Sequence, residues 1–307
     1  MGLTRYIKRP MDCERWLRIA AKLKVDRSRG VAPHKPLLLL VVAGLAEEGK
    51  LTRSIVPLTG ELVFRFLAFW TAVAERRSQR PDIRLPFYHL GSDGLWTPLD
   101  DRGNPTSERR RAVAAQVDPE FLECLGDHDF RLQMRRILIA TYFVDPGERA
   151  ALYTLVGIQI PNDDEVKADA KLYEPDRERG REARFRLIVV PAYNYTCALT
   201  GYRLTTVNSG SIVDAAHIHE FARSRNNDPR NGIALSKNAH WLFDQGLWSL
   251  TDDYRVVVAR NRFDESGDAG LLLGKREGQR IELPGNRDYW PEKAHLRWHR
   301  EHHFDRR

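Results

Sequence analysis

The segment SIVDAAHIHEFARSRNNDPRNGIALSKNAHWLFDQG, residues 211–246, decides how the C-terminal half of the chain folds. Its first part, SIVDAAHI, is rich in apolar residues and predicts a strand that ends near His217. A turn-rich stretch, RSRNNDPRNG, follows, and LSKNAHWLFDQG then has the spacing of a short helix. His217, Asn231 and His240 are therefore expected on a strand, in a loop and on a helix, respectively.

This strand, loop and helix predict a metal site. His240 and Asp244 are four residues apart, so they share one helical face and can point at one cation. Asp214 is a further candidate ligand. Because it lies three residues before His217, and such positions face opposite sides of a strand, its role needs a bend or bulge. Oxygen ligands with one imidazole suit Mg²⁺ or Mn²⁺, and the histidine also admits nickel or cobalt.

The motifs DAAHI (214–218), NGIAL (231–235) and KNAHWLFDQG (237–246) resemble those of HNH endonucleases, the ββα-metal nucleases, in particular the HNH domains of McrA-like modification-dependent restriction enzymes. The resemblance covers about residues 184–258. It implies a catalytic set of His217, Asn231 and His240. His217 would be the general base, His240 a metal ligand with Asp214 or Asp244, and Asn231 the residue that ties the loop to the hairpin.

Many HNH relatives bind a structural zinc ion through paired CxxC motifs. In this chain Cys197 stands alone in TCALTG. We therefore expect no structural zinc and expect Cys197 to pack in the core.

The N-terminal half has mainly helical patterns: CERWLRIAAKL, HKPLLLLVVAGLAEEGK, ELVFRFLAFWTAVAERR and DHDFRLQMRRILIATYF. In the second of these, a proline near the start and Gly49 near the end are typical helix boundaries. Residues 81–99, PDIRLPFYHLGSDGLWTPL, contain further prolines and a turn signal, so we expect an irregular or short-stranded segment there.

Two of these segments, RSRGVAPHKPLLLLVVAGLAEEGKL (27–51) and RLPFYHLGSDGLWTPL (84–99), resemble the sulfur-binding domain of restriction enzymes that recognise phosphorothioate DNA. The resemblance implies a pocket floor at Pro86, with Leu85 and His89 beside it. It also implies a cationic rim that contains Arg27, His34 and Lys35. A domain that reads a modified base, or a specific unmodified sequence, is an alternative for this half.

The charge balance favours an anionic partner. The 307 residues include 49 Lys and Arg against 42 Asp and Glu, a net charge of +7. Arginines cluster around Arg76, Arg77, Arg80 and Arg84, again at residues 109–111, and between residues 177 and 186. Such clusters can neutralise phosphates, although a solvated arginine-rich surface explains them equally well.

The sequence also indicates a compartment. The longest apolar runs, residues 36–46 and 187–192, are shorter than the roughly 18–20 residues of a membrane-spanning helix. The N-terminus lacks the apolar region of a secretory signal. Three scattered cysteines argue against a disulfide framework and favour a reducing compartment, so we expect a cytoplasmic protein without membrane contact.

Together these patterns predict an α+β protein. A mainly helical, DNA-reading domain (1–160) is joined by a charged linker (161–186) to an HNH nuclease domain (187–307), which begins with a strand, RLIVVPAY. The predicted function is cleavage of phosphorothioate-modified double-stranded DNA. A nuclease that reads methylated or other modified bases, and a non-catalytic DNA-binding module, are the alternatives. Since one HNH centre typically cuts one strand, double-strand cleavage would need a homodimer or two successive nicks.

Overall fold

The computed structural model describes residues 13–28, 31–51, 53–73, 79–159, 174–268 and 272–304, with side chains of the helix at 174–192 from residue 178 onward. Arg76 and Arg77 of the first arginine cluster lie outside the described residues. The chain forms two compact units. The N-terminal unit contains the residues up to Leu58 together with Phe69–Gly180, and the C-terminal unit contains Thr59–Ala68 and the residues from Arg181 onward.

The described helices are α1 (Cys13–Ala21), α2 (His34–Glu47), α3 (Gly60–Thr71), α4 (Arg84–His89), α5 (Pro119–Gly126), α6 (His128–Tyr142), α7 (Pro146–Val156), α8 (Glu174–Ala192), α9 (Phe221–Ser224), α10 (Lys237–Asp244) and α11 (Lys293–His299). The described strands are β1 (Ile55–Pro57), β2 (Trp96–Leu99), β3 (Ala114–Val117), β4 (Thr205–Thr206), β5 (Gly210–Ser211), β6 (Val213–His217), β7 (Gly232–Ser236), β8 (Trp248–Leu250) and β9 (Val256–Val258). None of the described helices combines the length and the apolar character that crossing a bilayer takes. The mixture of helices and small antiparallel sheets confirms the predicted α+β class.

Helix α2 forms the centre of the N-terminal unit. Its residues from Leu37 to Ala43 are all at most 2% exposed, so the whole circumference of this stretch packs against protein. Helices α4 and α6 both pack on it. The helix ends where Gly49 adopts φ +68°, a conformation that glycine takes without steric cost.

The segment 81–99 is more regular than predicted. It contains helix α4, a short 3₁₀ turn and strand β2, which pairs antiparallel with the central strand β3 of a β1-β3-β2 sheet. The prediction of an irregular segment was wrong at α4 because Pro86 lies in the first turn of that helix. A proline there loses no hydrogen bond, since the first-turn N–H groups have no partner within the helix.

The expectation of no disulfide is also wrong: Cys13 and Cys124 are bonded, although they are 111 residues apart in sequence. Helix α1 packs against α5, and this contact brings the two Cα atoms within 5.8 Å. Tertiary packing of this kind leaves no trace in the spacing of cysteines. The third cysteine, Cys197, is free and buried, in agreement with the expected core position.

The C-terminal unit is organised around the β6–β7 hairpin. The two strands pair antiparallel without interruption, from Val213 opposite Ser236 to His217 opposite Gly232. Helix α10 packs on both strands, and its Phe243 is buried with Trp248 of β8. The predicted strand, loop and helix of residues 211–246 are thus present.

The prediction of a strand at the start of the C-terminal domain was wrong, because helix α8 includes these residues. The run RLIVVPAY was expected to form a strand, but the residues up to Ala192 continue the helix that starts at Glu174. Val189 and Val190 are buried, so tertiary packing outweighs their β propensity. A Cβ atom on Gly232 would lie 2.5 Å from Val189 and 2.9 Å from Phe185, so this glycine permits the close approach of α8 to β7.

His299, at the end of α11, links three elements in the core of the C-terminal unit. Its side chain is 2% exposed and stacks on Phe243 of α10, with ring centroids 3.7 Å apart. Nδ1 lies 2.8 Å from Ser249 Oγ, and Nε2 lies 3.1 Å from the Phe243 carbonyl. The carbonyl can only accept, so Nε2 donates to it and Nδ1 accepts from the serine, which requires a neutral ring.

We predict that His299 makes the stability of the protein depend on pH. Burial lowers its pKa from 6.5 to about 3. Between pH 6.5 and about 3, this histidine is protonated in the unfolded chain but not in the folded chain. The free energy of unfolding therefore decreases as the pH falls from 6.5 towards 3. The contribution approaches about 1.4 kcal/mol per pH unit. Urea unfolding of the wild type and of His299→Gln at pH 7.5, 6 and 5 should show a smaller pH slope in the variant.

The exposed His128, replaced by Gln, is the matched control for this measurement. It should retain the slope of the wild type. Equal slopes in His299→Gln and His128→Gln would contradict the assignment of this pH dependence to His299.

Candidate functional site

A cleft of about 870 Å³ lies in the N-terminal unit, between the start of α2 and helix α4. Five of the six residues predicted to contact sulfur border it: His34, Lys35, Leu85, Pro86 and His89. The sixth, Arg27, is exposed and is not among the residues that line the cleft. Residues that are 50 positions apart in sequence are thus brought together at one concave surface.

The cleft has an apolar wall and an ordered histidine. Pro86 is buried within α4 and lies next to Leu85. His34 is the first residue of α2, and its Nε2 donates to the backbone carbonyl of Arg80 over 2.9 Å. The His34 ring also packs against Trp70, with centroids 4.8 Å apart. These contacts hold the imidazole in one orientation at the edge of the cleft.

Lys35 has a counter-ion, Asp93, that local sequence patterns do not indicate. Its Nζ lies 2.5 Å from Asp93 Oδ2, and the lysine as a whole is only 7% exposed. The other oxygen of Asp93 accepts from the backbone N–H of Lys24 over 2.9 Å. The Ser92-Asp93-Gly94 turn was visible in the sequence, but nothing in its pattern indicates that Asp93 pairs with Lys35.

Two further cations border the cleft. Lys24 donates through Nζ to the backbone carbonyl of Ser92 over 3.0 Å, and Arg80 lies beside His34. The pKa of His89 is lowered, first by burial and then by the positive charges of Lys35 and Arg109. A neutral His89 next to these cations leaves the cleft with an apolar wall and a cationic edge.

His217 and Asn231, of the second group of predicted residues, lie at the end of the β6–β7 hairpin where the connecting loop joins the two strands. The His217 ring stacks on Phe185 of α8, with centroids 4.0 Å apart and planes 3° apart. Its Nε2 lies 2.8 Å from Asn227 Oδ1. Since that oxygen only accepts, Nε2 carries the proton and Nδ1 is left as a basic nitrogen.

Burial lowers the pKa of His217, and the hydrogen bond that its ring donates to Asn227 partly opposes this shift. The ring is therefore neutral at physiological pH, which is the state in which an imidazole accepts a proton. His217 is predictable from the sequence, but its contacts with Phe185 and Asn227, which fix its ring plane and its tautomer, are not. Asn227 lies in the loop RSRNNDPRNG, where no pattern distinguishes it from its polar neighbours.

Asn231 is fully buried and uses its whole side-chain amide. Its Oδ1 accepts from the backbone N–H of His219 over 2.8 Å. Its Nδ2 donates to the carbonyls of His219 and Asn226, over 2.9 and 3.1 Å. The amide thereby closes the loop between β6 and β7, the position that the HNH resemblance implies.

The predicted metal ligands are only partly brought together. His240 Nε2 lies 3.5 Å from Asp244 Oδ2 on α10. Asp214 instead pairs with Arg186 of α8, with Nε and Oδ1 2.9 Å apart, and the regular register of β6 contains no bulge that would turn it. In the parts of the chain that the structure describes, no three His, Cys, Asp or Glu side chains lie close enough to hold a metal ion.

The donor set of His240 and Asp244 nevertheless fits a divalent cation. An imidazole nitrogen and a carboxylate oxygen on adjacent turns are suitable ligands, and two protein ligands leave positions for water and phosphate oxygens. Divalent cations in phosphoryl-transfer sites commonly have this arrangement, with few protein ligands and several exchangeable ones.

Two family models match the chain. Residues 14–160 match the ScoMcrA-like DNA sulfur-binding domain, and residues 197–251 match an HNH endonuclease domain. HNH endonucleases generally use a divalent metal. No curated protein matches the chain.

Two solved structures are similar to parts of it. One is described as a modification dependent TagI restriction endonuclease (20% identity, TM-score 0.31), and the similarity covers 49% of this chain and 42% of that one. The other is the sulfur binding domain of SprMcrA complexed with phosphorothioated DNA (22% identity, TM-score 0.38), where 48% of this chain and 94% of that one are covered. The chain thus spans less than half the length of the first of these relatives. The family matches confirm both resemblances seen in the sequence, to the ScoMcrA-like DNA sulfur-binding domain in residues 14–160 and to the HNH endonucleases in residues 197–251.

Proposed function

We propose that this protein is a modification-dependent DNA endonuclease, in which the N-terminal unit binds phosphorothioate-modified duplex DNA and the C-terminal unit hydrolyses a phosphodiester bond nearby. The observation that carries the proposal is the cleft, because five residues implied by the sulfur-binding resemblance converge there within a matching family domain. We place the activity in the bacterial cytoplasm, as a defence against foreign modified DNA. Double-strand cleavage takes a homodimer or two successive nicks.

Recognition of sulfur depends on solvation. In phosphorothioate DNA a sulfur atom replaces a non-bridging phosphate oxygen. Sulfur is larger and more weakly hydrated, so it loses less free energy than oxygen does when it leaves water for an apolar wall such as Leu85 and Pro86. The remaining negative charge is held by the exposed cations at the edge of the cleft, Lys24 and Arg80.

Hydrolysis begins at His217. Nδ1 of its neutral ring takes a proton from the attacking water, while Asn227 Oδ1 keeps the other proton on Nε2. The stack with Phe185 prevents the ring from tilting away from the water. His240 and Asp244 would hold the cation, and Asp214 would be a further ligand if its pair with Arg186 opened. A bound Mg²⁺ or Mn²⁺ supplies positive charge to the scissile phosphate and the leaving 3′ oxygen.

Changes in the cleft should weaken binding to sulfur-containing duplex selectively. We expect Pro86→Ala to reduce affinity for a duplex with an Rp phosphorothioate about tenfold, because apolar contact with sulfur is lost, and His34→Ala to have a similar effect. Affinity for the unmodified duplex should change little. Mobility shifts of both duplexes in EDTA, which prevents cleavage, measure the two affinities.

Pro57→Ala, at an exposed proline of β1, is the matched control and should bind like the wild type. An equal loss of affinity for both duplexes would show that the cleft does not recognise sulfur. Equal, weak binding of both duplexes by the wild type would instead favour a reader of methylated or otherwise modified bases.

Replacement of His217 tests the general base. His217→Ala should lower the rate of plasmid nicking in Mn²⁺ by about 10²–10⁴-fold, because the proton acceptor is lost, while the mobility shift stays unchanged. His128→Ala, at an exposed histidine of the N-terminal unit, should retain the wild-type rate. Cleavage that survives in His217→Ala would exclude this role, and a wild type that binds but never nicks would indicate a non-catalytic DNA-binding module.

The hydrogen bond that His217 donates to Asn227 should matter less than the His217 imidazole itself. We expect Asn227→Ala to lower the nicking rate about tenfold, because the His217 ring loses the partner that fixes its tautomer. DNA binding and the thermal unfolding midpoint should be close to those of Asn208→Ala, an exposed asparagine of the β4–β5 turn. An undiminished nicking rate in Asn227→Ala would show that this contact does not orient the base.

A further inference from the structure

Trp241 is exposed on the helix that carries the metal ligands. All seven tryptophans lie within the described residues, and the other six are buried or half-buried. Trp241 is 60% exposed, although it lies between His240 and Asp244 on α10. An indole normally stabilises a protein by being buried, so one that faces solvent beside a candidate active site calls for a partner outside the folded chain.

The neighbours of Trp241 on the helix surface have the chemistry of a nucleotide-binding face. Lys237 and Asn238 precede it by four and three residues and Gln245 follows it by four, so all three adjoin the indole. Each is exposed. Lys237 attracts phosphate, the two amides can both donate and accept hydrogen bonds, and the indole offers a flat apolar surface.

We propose that Trp241 contacts the DNA next to the scissile phosphate and packs its indole against the adjoining nucleotide. This inference rests on the proposed nuclease function and adds a residue that positions the substrate. His240 directly precedes Trp241 in the chain, so a phosphate held near the His240–Asp244 pair has its neighbouring sugar and base within reach of the same helix. Stacking of this kind does not depend on which base is present, because every base has an aromatic face.

The experiment compares Trp241→Ala, Trp241→Phe and Leu204→Ala in the full-length protein. Leu204 is the control, since it is an apolar side chain that is 43% exposed in the same unit, directly before β4. Nicking of a phosphorothioate duplex in Mn²⁺ gives kcat and KM for each variant. We expect Trp241→Ala to reduce kcat/KM about tenfold, mainly through KM, whereas Trp241→Phe stays within about threefold of the wild type and Leu204→Ala is unchanged.

A second readout tests the contact without cleavage. Duplexes with 2-aminopurine at successive positions are titrated with protein in EDTA. The wild type and Trp241→Phe should quench the probe within a few nucleotides of the cut, and Trp241→Ala should not. This readout separates the two proposals: quenching that depends on Trp241 supports the contact even when no DNA is cut.

Three outcomes would overturn the inference. The first is a Trp241→Ala variant with unchanged KM and unchanged quenching at every position. The second is a loss of thermal stability in Trp241→Ala that accounts for its lower activity, which would make the role structural. The third is a dimer in the wild type that dissociates in Trp241→Ala by analytical ultracentrifugation, which would show that a second copy of the chain covers the indole.

Discussion

The buried amide of Asn231 is the contact on which the geometry of the candidate nuclease centre depends. Its three hydrogen bonds close the loop between β6 and β7, and that loop contains Asn227, the partner of His217. The next residue, Gly232, lets α8 approach closely enough for Phe185 to stack on the same ring. Two consecutive residues, Asn231 and Gly232, thus position both groups that contact the His217 ring. Loss of the amide would leave buried backbone groups unpaired, at a cost of about 1–3 kcal/mol for each.

The sequence predicted the elements of this centre better than its contacts. Strand, loop and helix in residues 211–246 follow from local patterns, since apolar runs, turn residues and helical spacing act over a few positions. The Asn227 hydrogen bond and the Asp214–Arg186 pair depend on where a loop and a distant helix pack. Helix α8 shows the same limit, because burial by the tertiary fold outweighs the strand propensity of its valines.

In the N-terminal unit, too, the local elements were more predictable than the tertiary contacts. The buried helix α2 and its end at Gly49 were predictable from an apolar run and a glycine. The Cys13–Cys124 bond and the Lys35–Asp93 pair were not, because each joins segments that tertiary packing alone brings together. The family resemblance predicted a contact that local patterns could not: it placed residues near 34 and near 86 in one site, and both border the cleft.

The Lys35–Asp93 pair bears on selectivity in the proposed sulfur site. Both side chains are nearly inaccessible, and their charges cancel at the wall of the cleft. An ordinary phosphate oxygen that enters must give up strongly bound water, and it recovers little of that free energy from a lysine that is already paired. A sulfur atom gives up less. Attraction between DNA and protein then comes from the more exposed cations, which do not distinguish oxygen from sulfur. The neutralised interior of the cleft does distinguish the two atoms.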